Sequence, residues 1–482
     1  MNTLILVLVL AFLITMAIRN HNVILIAPLA AVLAVLLTDP IAVAPAFTQV
    51  YMPKLAEFMS KYFPIFLLGA VFGKLVEISG FASAIAEVIT GIGKTVTRIT
   101  RLKVAALSIA VLAVVLTFCG VSLFVAVFAV APVARRVFQD HNVPYRLIPC
   151  AIALGAFTFT MDALPATPQI QNLIPTEYFH TTSTAAPILG LIGSFFIFVV
   201  GGSYLEWQRY RLNKRGLGYH DGTAKASDSP TSGGNFFLDP ALDYTPRKVT
   251  AAIPLVAVPL LTWQLTSPLK QLYGTTYTLS LPFLAAPLRF DINNSMASTW
   301  ALDGALVVGI VLTFLLGYRN IRHHYHEAAE KAVGGALQAS MNTASEYGFG
   351  SVMASLPGIA PVRAGVHWFA DPLKNIAATV TLLAGMTGSA SGGLRIALSA
   401  LSSSFISTAT GAGIPLEVLH RVCSMASGGM DTLPQNGAVI TVLRQCEFKG
   451  VLTPYLHILA LTVIKTVAVF VVIAVYRTFN LY

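Results

Sequence analysis

The chain has 482 residues, of which 55% are hydrophobic and only 11% are charged. A soluble globular chain carries roughly 25% charged residues, so this composition excludes an ordinary soluble domain and predicts an all-α polytopic membrane protein, whose helices satisfy their own backbone hydrogen bonds in lipid. The net charge of +10 is typical of loops that orient a protein in a membrane, and we expect no nucleic-acid partner.

Apolar runs of about 20 residues, long enough to cross a hydrocarbon core about 30 Å thick, recur along the chain. They predict spans at 1–18, 23–38, 62–79, 185–205, 249–266, 300–318, 346–362 and 452–476. The Gly-, Ser- and Pro-rich segment 206–248 is predicted to be a cytoplasmic linker. It separates two domains, residues 1–205 and residues 249–482.

Two further apolar regions are predicted to contain re-entrant hairpins, which enter the membrane and return on the same side. The basic stretches "KTVTRITRLK" and "RRVFQDHNVPYR" flank a single apolar stretch, so both of its ends lie on one side of the membrane. This predicts the first hairpin at 104–134. The second is predicted at 372–412, with its tip near "TGSASGG". On this layout both chain termini lie outside.

A duplicated motif relates the two halves of the chain. "MDALP" at 161–165 recurs as "MDTLP" at 430–434, and the offset between these two motifs also relates Ser122 to Ser391 at the predicted hairpin tips. Because the two copies have opposite predicted orientations, the pattern indicates an inverted-topology repeat. Secondary transporters are often built this way, with substrate bound near the bilayer midplane between discontinuous helices.

Prolines and glycines predict where these helices are interrupted. Pro165, Pro168 and Pro434 are predicted helix breaks, because proline lacks the N–H donor and clashes with the preceding turn. Gly and Pro are also frequent in membrane helices because they allow close packing and kinks. This structural role is the alternative to a binding role for these residues. Four helix ends around one cavity would suit an anion, since each N-terminus offers free N–H groups and partial positive charge. The predicted substrate-binding residues are Gly120, Ser122, Thr160, Thr167, Gln169, Asn172, Ser389, Ser391, Gly392, Gly393, Thr432 and Asn436.

Ionisable residues within membrane segments are costly and often functional. Asp162 and Asp431 lie at the predicted helix breaks, where burial away from cations would favour proton uptake. We predict that both carry the coupling proton; the alternative is that each carboxylate only caps N–H groups at its break.

Three other ionisable residues carry predictions about contacts. Arg395, in the second predicted hairpin, is expected to bind the substrate carboxylate, to pair with Asp371 or to face a wet cavity. Lys465 is expected to pack or to extend its charge towards the membrane surface. Glu346 begins a predicted span, and we expect it to be interfacial.

The chain resembles the gluconate:proton symporter (GntP) family, within the wider ion-transporter superfamily, over nearly its whole length except 206–248. The likeness is carried by "FCGVSLFVAVFAVAP", "IALGAFTFTMDALPATPQIQN", "GSASGGLRIALSAL" and "LHRVCSMASGGMDTLPQNGAVIT". It implies proton-coupled uptake of a small hydroxy acid across the bacterial inner membrane. It also implies a scaffold that forms a homodimer and a transport domain that moves as an elevator.

Within this resemblance, one motif departs from the gluconate-transporting branch. That branch has a His- and Pro-rich motif where this chain has "MDALPATPQ", and the sequence is closer to a branch linked with 3-hydroxybutyrate. The resemblance therefore implies that the substrate is a small hydroxy-monocarboxylate anion. It also implies that the protein is in contact with membrane lipid.

The residues also bear on cofactors and on two other functions. The four cysteines show no zinc or disulfide spacing, so we predict no metal and no cofactor.

Two membrane aspartates sharing a proton could also serve an intramembrane aspartyl protease, but no Gly-x-Gly-Asp motif occurs. A cation/proton exchanger is the other alternative, and it gives no reason for converging helix N-termini. We predict that the chain is not an enzyme.

Overall fold

The computed structural model describes most of the chain. The described residues are 2–19, 21–100, 104–121, 123–220, 246–274, 276–279, 287–292, 294–360, 368–387, 389–430, 432–434, 436–446, 448 and 452–482. Two predicted site residues, Ser122 and Asp431, lie outside the described residues, as does most of the predicted linker.

The first part of the chain forms a run of helices that begins close to the predicted positions. The helices α1 and α2 agree with the spans predicted at 1–18 and 23–38. Before α4 the chain passes through a 3₁₀ turn at Pro40–Ala42 and a π-helical turn at Phe47–Tyr51. The helices are α1 Asn2–Ile18, α2 Val23–Thr38, α3 Val43–Ala46, α4 Met52–Ile78 and α5 Phe81–Thr100.

Two helices, α6 Ala105–Phe118 and α7 Leu123–Asp140, pack side by side after a sharp turn at 119–121. Gly120 adopts a φ of +90° in this turn, in the left-handed region that favours glycine. A Cβ at this position would also meet Val258 at 3.0 Å and Leu306 at 3.1 Å. The 14 residues of α6 extend roughly 21 Å, less than the thickness of a hydrocarbon core.

The next helix is interrupted at the predicted prolines. Its pieces are α8 Ile148–Ala156, α9 Phe159–Asp162 and α10 Ile170–Phe179. Pro165 and Pro168 lie in the interruption between α9 and α10, together with Ala166, a non-glycine residue at φ +61°. The long helix α11 Pro187–Lys214 follows.

The second half of the chain begins with a long helix and two short strands, which six further helices follow among the described residues once α13 has ended. A two-stranded antiparallel hairpin, β1 Thr276–Leu279 with β2 Leu288–Asp291, pairs Thr276 with Asp291. Pro434 lies between α17 and α18, where its break was predicted. The helices are α12 Lys248–Tyr273, α13 Asn294–Ile321, α14 Tyr325–Ser355, α15 Pro372–Thr387, α16 Ala390–Gly411, α17 Leu416–Gly428, α18 Gly437–Gln445 and α19 Leu452–Phe479.

Corresponding helices of the two halves begin at a nearly constant offset along the chain. The pair α6 and α15 begin at Ala105 and Pro372, and α7 and α16 begin at Leu123 and Ala390, so these two pairs have the same offset. The beginnings of α8 and α17, of α10 and α18, and of α11 and α19 keep this offset to within a few positions. The contacts also correspond, because α10 packs against α16 while α18 packs against α7.

Three local predictions differ from the structure. The span at 346–362 is wrong, because α14 begins at Tyr325 and ends at Ser355, ahead of a 3₁₀ turn at Pro357–Ile359. Helix α5 was not predicted, since its second half, "GKTVTRIT", is too polar to stand out as an apolar run. The β hairpin was also missed.

Five stretches of the described residues are long and apolar enough to cross a membrane. The two that follow the interrupted helices, α11 and α19, pack against each other. On the other side, α4 packs against α13 and α14, and α12 packs against α13. The interrupted helices and the α15–α16 pair lie between these groups, and the site forms there.

Candidate functional site

A cavity opens where several helices begin. One side of the cavity consists of the first residues of α10, α16 and α18, together with the turn that precedes α7. Of the predicted site residues, the structure brings together Gly120, Gln169, Ser389, Ser391 and Asn436 in its lining, beside the predicted helix-break residue Pro168.

The polar residues of this side cap the helices that begin there. The Ser389 hydroxyl accepts a hydrogen bond from the Gly392 amide at 3.3 Å, and the Asn436 side chain accepts one from the Ala438 amide at 2.8 Å. Gln169 precedes α10 and donates to the Thr117 carbonyl at the end of α6, at 3.2 Å. Helix N-termini carry roughly half a positive charge, so this side favours anions without a cationic side chain.

The rest of the cavity lining comes mainly from α4, α13 and α14. It is apolar where α4 and α13 contribute, and polar where Asn342, Thr343 and Glu346 of α14 reach the cavity. Glu346 is 7% exposed and is the only charged side chain among the described residues of the lining. The expectation that Glu346 begins a helical span is wrong: α14 begins at Tyr325, well before the apolar run, so Glu346 lies in the interior of the helix.

Asp162 lies outside the cavity lining and forms a buried ion pair. Its Oδ2 atom is 3.0 Å from Nζ of Lys465, and both side chains are 1% exposed. Lys465 also donates to the Phe157 carbonyl at 2.9 Å. Gly428 makes room for this pair, since a Cβ there would lie 1.6 Å from Oδ2 of Asp162. The expectation that Asp162 is remote from cations is wrong, and so is the surface role expected of Lys465.

A second buried cation, Arg421, hydrogen-bonds groups on both sides of the interruption between α9 and α10. It is fully buried, and its guanidinium donates to the carbonyls of Ala185 at 2.7 Å and Asp162 at 3.2 Å and to Oδ1 of Asn172 at 2.9 Å. The neighbouring His420 makes a 2.7 Å hydrogen bond with the Thr181 hydroxyl. Carbonyls freed by the interruption thereby gain partners, as buried backbone requires.

Three predicted binding residues near the first break use their polar groups within the protein instead of lining the cavity. Thr160 donates to the Gly155 carbonyl at 2.7 Å, and Thr167 donates to the Thr160 carbonyl. The Asn172 amide donates to the Ser183 carbonyl at 2.7 Å. Their hydrogen bonds stabilise the irregular backbone between α9 and α10.

The remaining predicted residues lie in the second half, away from the cavity lining. Thr432 makes a 2.6 Å hydrogen bond with Thr462. Gly392 and Gly393 lie in the first turn of α16, where the Gly393 amide donates to the Ser389 carbonyl at 2.8 Å. These two glycines belong to the helix start that faces the cavity, without bordering it themselves.

Arg395 belongs to a charged cluster between α4, α10 and α16. Its guanidinium lies 2.8 Å from Glu177 and donates to the Tyr62 hydroxyl at 3.2 Å. Lys61 of α4 reaches the same Glu177 at 2.8 Å. Arg395 does not line the cavity, and it does not pair with Asp371, which instead binds Arg477 at 2.7 Å.

Sequence reasoning missed Arg421, His420 and Glu177, and it misjudged Lys465. The signal was the same for all of them: an ionisable residue within an otherwise apolar stretch. What the sequence does not carry is which partner each one meets, because those partners lie in distant parts of the chain.

The long apolar helices are those of a multi-pass membrane protein. No protein-family model matches the chain. The chain is 47% identical over 480 residues to "Uncharacterized transporter YxjC" of Bacillus subtilis (strain 168), with 99% of each chain covered. It is also similar to the crystal structure of the Alcanivorax borkumensis YdaH transporter, with a TM-score of 0.45, 16% identity and coverage of 99% and 98% of the two chains.

The chain belongs to the family of the transporter YxjC. It is therefore a multi-pass membrane transporter and not an enzyme, as the sequence predicted.

Proposed function

We propose that the chain is a secondary active transporter that takes up a small hydroxy-monocarboxylate, such as 3-hydroxybutyrate or gluconate, together with a proton. The observation that carries this proposal is the cavity at which α10, α16 and α18 begin beside the turn before α7. No described residue of its lining is cationic. Helix N-termini bind anions through backbone N–H groups and the helix dipole, which fits a carboxylate.

The polar side chains of the lining supply hydrogen bonds for the rest of such a substrate. Hydroxyls of Ser389 and Ser391 and amides of Gln169 and Asn436 donate and accept, as recognition of a hydroxy acid requires. The proposal assigns the chain to the GntP family. It requires no metal and no organic cofactor.

The repeated order of helices supports an inverted repeat and an elevator mechanism as part of this proposal. The nearly constant offset between corresponding helices, and the reciprocal packing of α10 on α16 and α18 on α7, favour two related halves. In the proposed mechanism α6–α7 and α15–α16 are re-entrant hairpins. The unit of α6–α11 and α15–α19 would move against α4, α13 and α14, which would belong to a dimeric scaffold.

The orientation in the membrane belongs to the same proposal. We place the protein in the bacterial inner membrane, with the 206–248 segment cytoplasmic and both termini external, because basic residues concentrate in loops on the cytoplasmic side. Cysteine labelling at exposed positions of 215–220 and 480–482 in intact cells tests this layout.

Transport by purified protein in liposomes tests the function. We expect labelled 3-hydroxybutyrate to accumulate when the outside is acidic and an ionophore that collapses the proton gradient to abolish accumulation. Competition by gluconate, lactate, glycerate and D-serine ranks substrates. Accumulation that survives the ionophore would contradict proton coupling, and pH changes driven by a cation without any acid would favour the exchanger.

A further inference from the structure

We infer that Glu346 carries the coupling proton and that it does so inside the substrate cavity. This inference rests on the proposed function. Glu346 is nearly buried and lines the cavity together with the first residues of α10, α16 and α18. No other titratable side chain occurs among the described residues of the lining.

Two aspartates were predicted for this role. One of them is less suited to it than Glu346, and the other lies outside the described residues. Asp162 does not line the cavity, and Lys465 neutralises it at 3.0 Å, so an added proton would leave that lysine buried without its ion-pair partner. Asp431 lies outside the described residues. Glu346 is thus the described carboxyl group that a bound acid would meet.

The chemistry of coupling follows from two carboxyl groups sharing one poorly solvated cavity. Two carboxylate anions at close range repel each other, so one of them gains a proton. A protonated Glu346 removes the repulsion and donates a hydrogen bond to the substrate. The proton enters with the substrate from outside, stays on the Glu346 carboxyl during the movement, and leaves to water on the inside when the substrate departs.

The charged groups on the elements packed against α14 are engaged with one another. Tyr51, from the π-helical turn, lies next to Ser345. Arg395 of α16 is bound to Glu177 and lies over the rings of Tyr62 and Tyr347 at 5.3 and 5.5 Å.

Several further charges on those elements have partners of their own. Lys74 and Glu77 of α4 pair with each other, and Arg135 of α7 donates to the Gln445 carbonyl. Lys54 of α4 pairs with Glu57 at 2.8 Å. Glu346 is the titratable group among the described residues of the cavity lining, and the pH dependence of substrate binding would act through it.

The test is Glu346→Gln in liposomes, because glutamine mimics the protonated carboxyl in shape and hydrogen bonding. We expect the variant still to exchange labelled for unlabelled 3-hydroxybutyrate across the membrane, with a rate and Kd of its own because residue 346 contacts the substrate, while accumulation driven by a proton gradient is lost. The Kd of the wild type should rise with pH by up to about tenfold per pH unit, as linkage to one proton requires. The variant should lack this dependence.

The matched control is Glu327→Gln, on the same helix but exposed and paired with Lys331, which should keep gradient-driven accumulation. Retained accumulation in Glu346→Gln, or loss of exchange in a variant that remains monodisperse, would overturn the inference. So would loss of coupling in Asp431→Asn but not in Glu346→Gln. If the wild type transports none of the acids, the proposed function itself is contradicted, whatever the variant does.

Discussion

Two buried arginines, Arg421 and Arg395, meet very different surroundings. Among the described residues, Arg421 hydrogen-bonds neutral groups, including the carbonyls of Ala185 and Asp162 and the Asn172 side chain. Arg395 binds the carboxylate of Glu177, which also reaches Lys61 of α4. The first arginine connects parts of the interrupted helices to one another, whereas the second connects them to the neighbouring group of helices.

The difference suggests which contacts are permanent and which can be exchanged. Breaking the contacts of Arg421 would leave buried carbonyls unsatisfied, which costs about 1–3 kcal/mol for each group. The pair formed by Glu177 and Lys61 is partly exposed, with side-chain exposures of 24% for Glu177 and 39% for Lys61. Such pairs contribute little net free energy because water can replace the partner, so they can separate and re-form.

The largest effect is expected from Arg421→Met, which removes the guanidinium but keeps much of the apolar stem. We expect the free energy of unfolding to fall by about 3–5 kcal/mol, since several buried acceptors lose their donor at once. Thermal unfolding in detergent measures the change. Arg136→Met, at an exposed arginine of α7, is the control, and equal stability of both variants would contradict the structural role of Arg421.

The next effect concerns the space beside the Asp162–Lys465 pair. In Gly428→Ala the new methyl group would overlap Oδ2 of Asp162, so the pair must shift, and we expect a loss of about 1–3 kcal/mol. Gly335→Ala, in α14 with open space around it, should instead be neutral or stabilising by about 0.5–1 kcal/mol. A Gly428→Ala protein as stable as the wild type would exclude close packing there.

A smaller effect on stability is expected from Lys61→Met, which removes a contact between α4 and Glu177. The half-exposed pair should contribute only about 0.2–1 kcal/mol. If α4 belongs to the scaffold, as proposed, the rate of substrate exchange in liposomes should change severalfold while the Kd stays constant. An unchanged rate together with a lower melting temperature would mean that the pair is merely structural.

The smallest effect concerns the pair of Asp371 with Arg477, at the end of α19. Burial tends to raise the pKa of Asp371, but hydrogen bonds from Arg477 and from the Leu373 amide outweigh it, so the pKa lies below its ordinary value. Its stabilisation is therefore present above the unfolded pKa of about 3.9 and is lost as the pH falls through the lower folded value. The wild type should exceed Asp371→Asn in melting temperature at pH 7, and the difference should vanish in strong acid.

Much of the fold was predictable because apolar runs and prolines act locally. Hydropathy located α1, α2 and α19 to within a few residues, and Pro165, Pro168 and Pro434 lie in the segments between α9 and α10 and between α17 and α18. The glycine and serine of the turns led to Gly120, Ser389 and Ser391, which lie around one cavity.

The partners of the charged residues were not predictable, since they depend on packing between distant segments. Asp162 and Lys465 belong to different halves of the chain, and nothing local to either one indicates the other. Glu346 was misplaced for a different reason: the alanines and glycines before it, "AVGGALQAS", are not apolar enough to suggest a span, although alanine favours a helix.

The hydrogen bonds of Arg421 have a mechanical consequence. They join α17 to α9, to α10 and to the segment before α11, and Ser424 adds bonds to the carbonyls of Asp162 and Gln171. Helix α17 is thereby bound to both sides of the first interruption, so it cannot move away from α9 and α10 without breaking several buried hydrogen bonds. Bending during a transport cycle is therefore expected outside this contact.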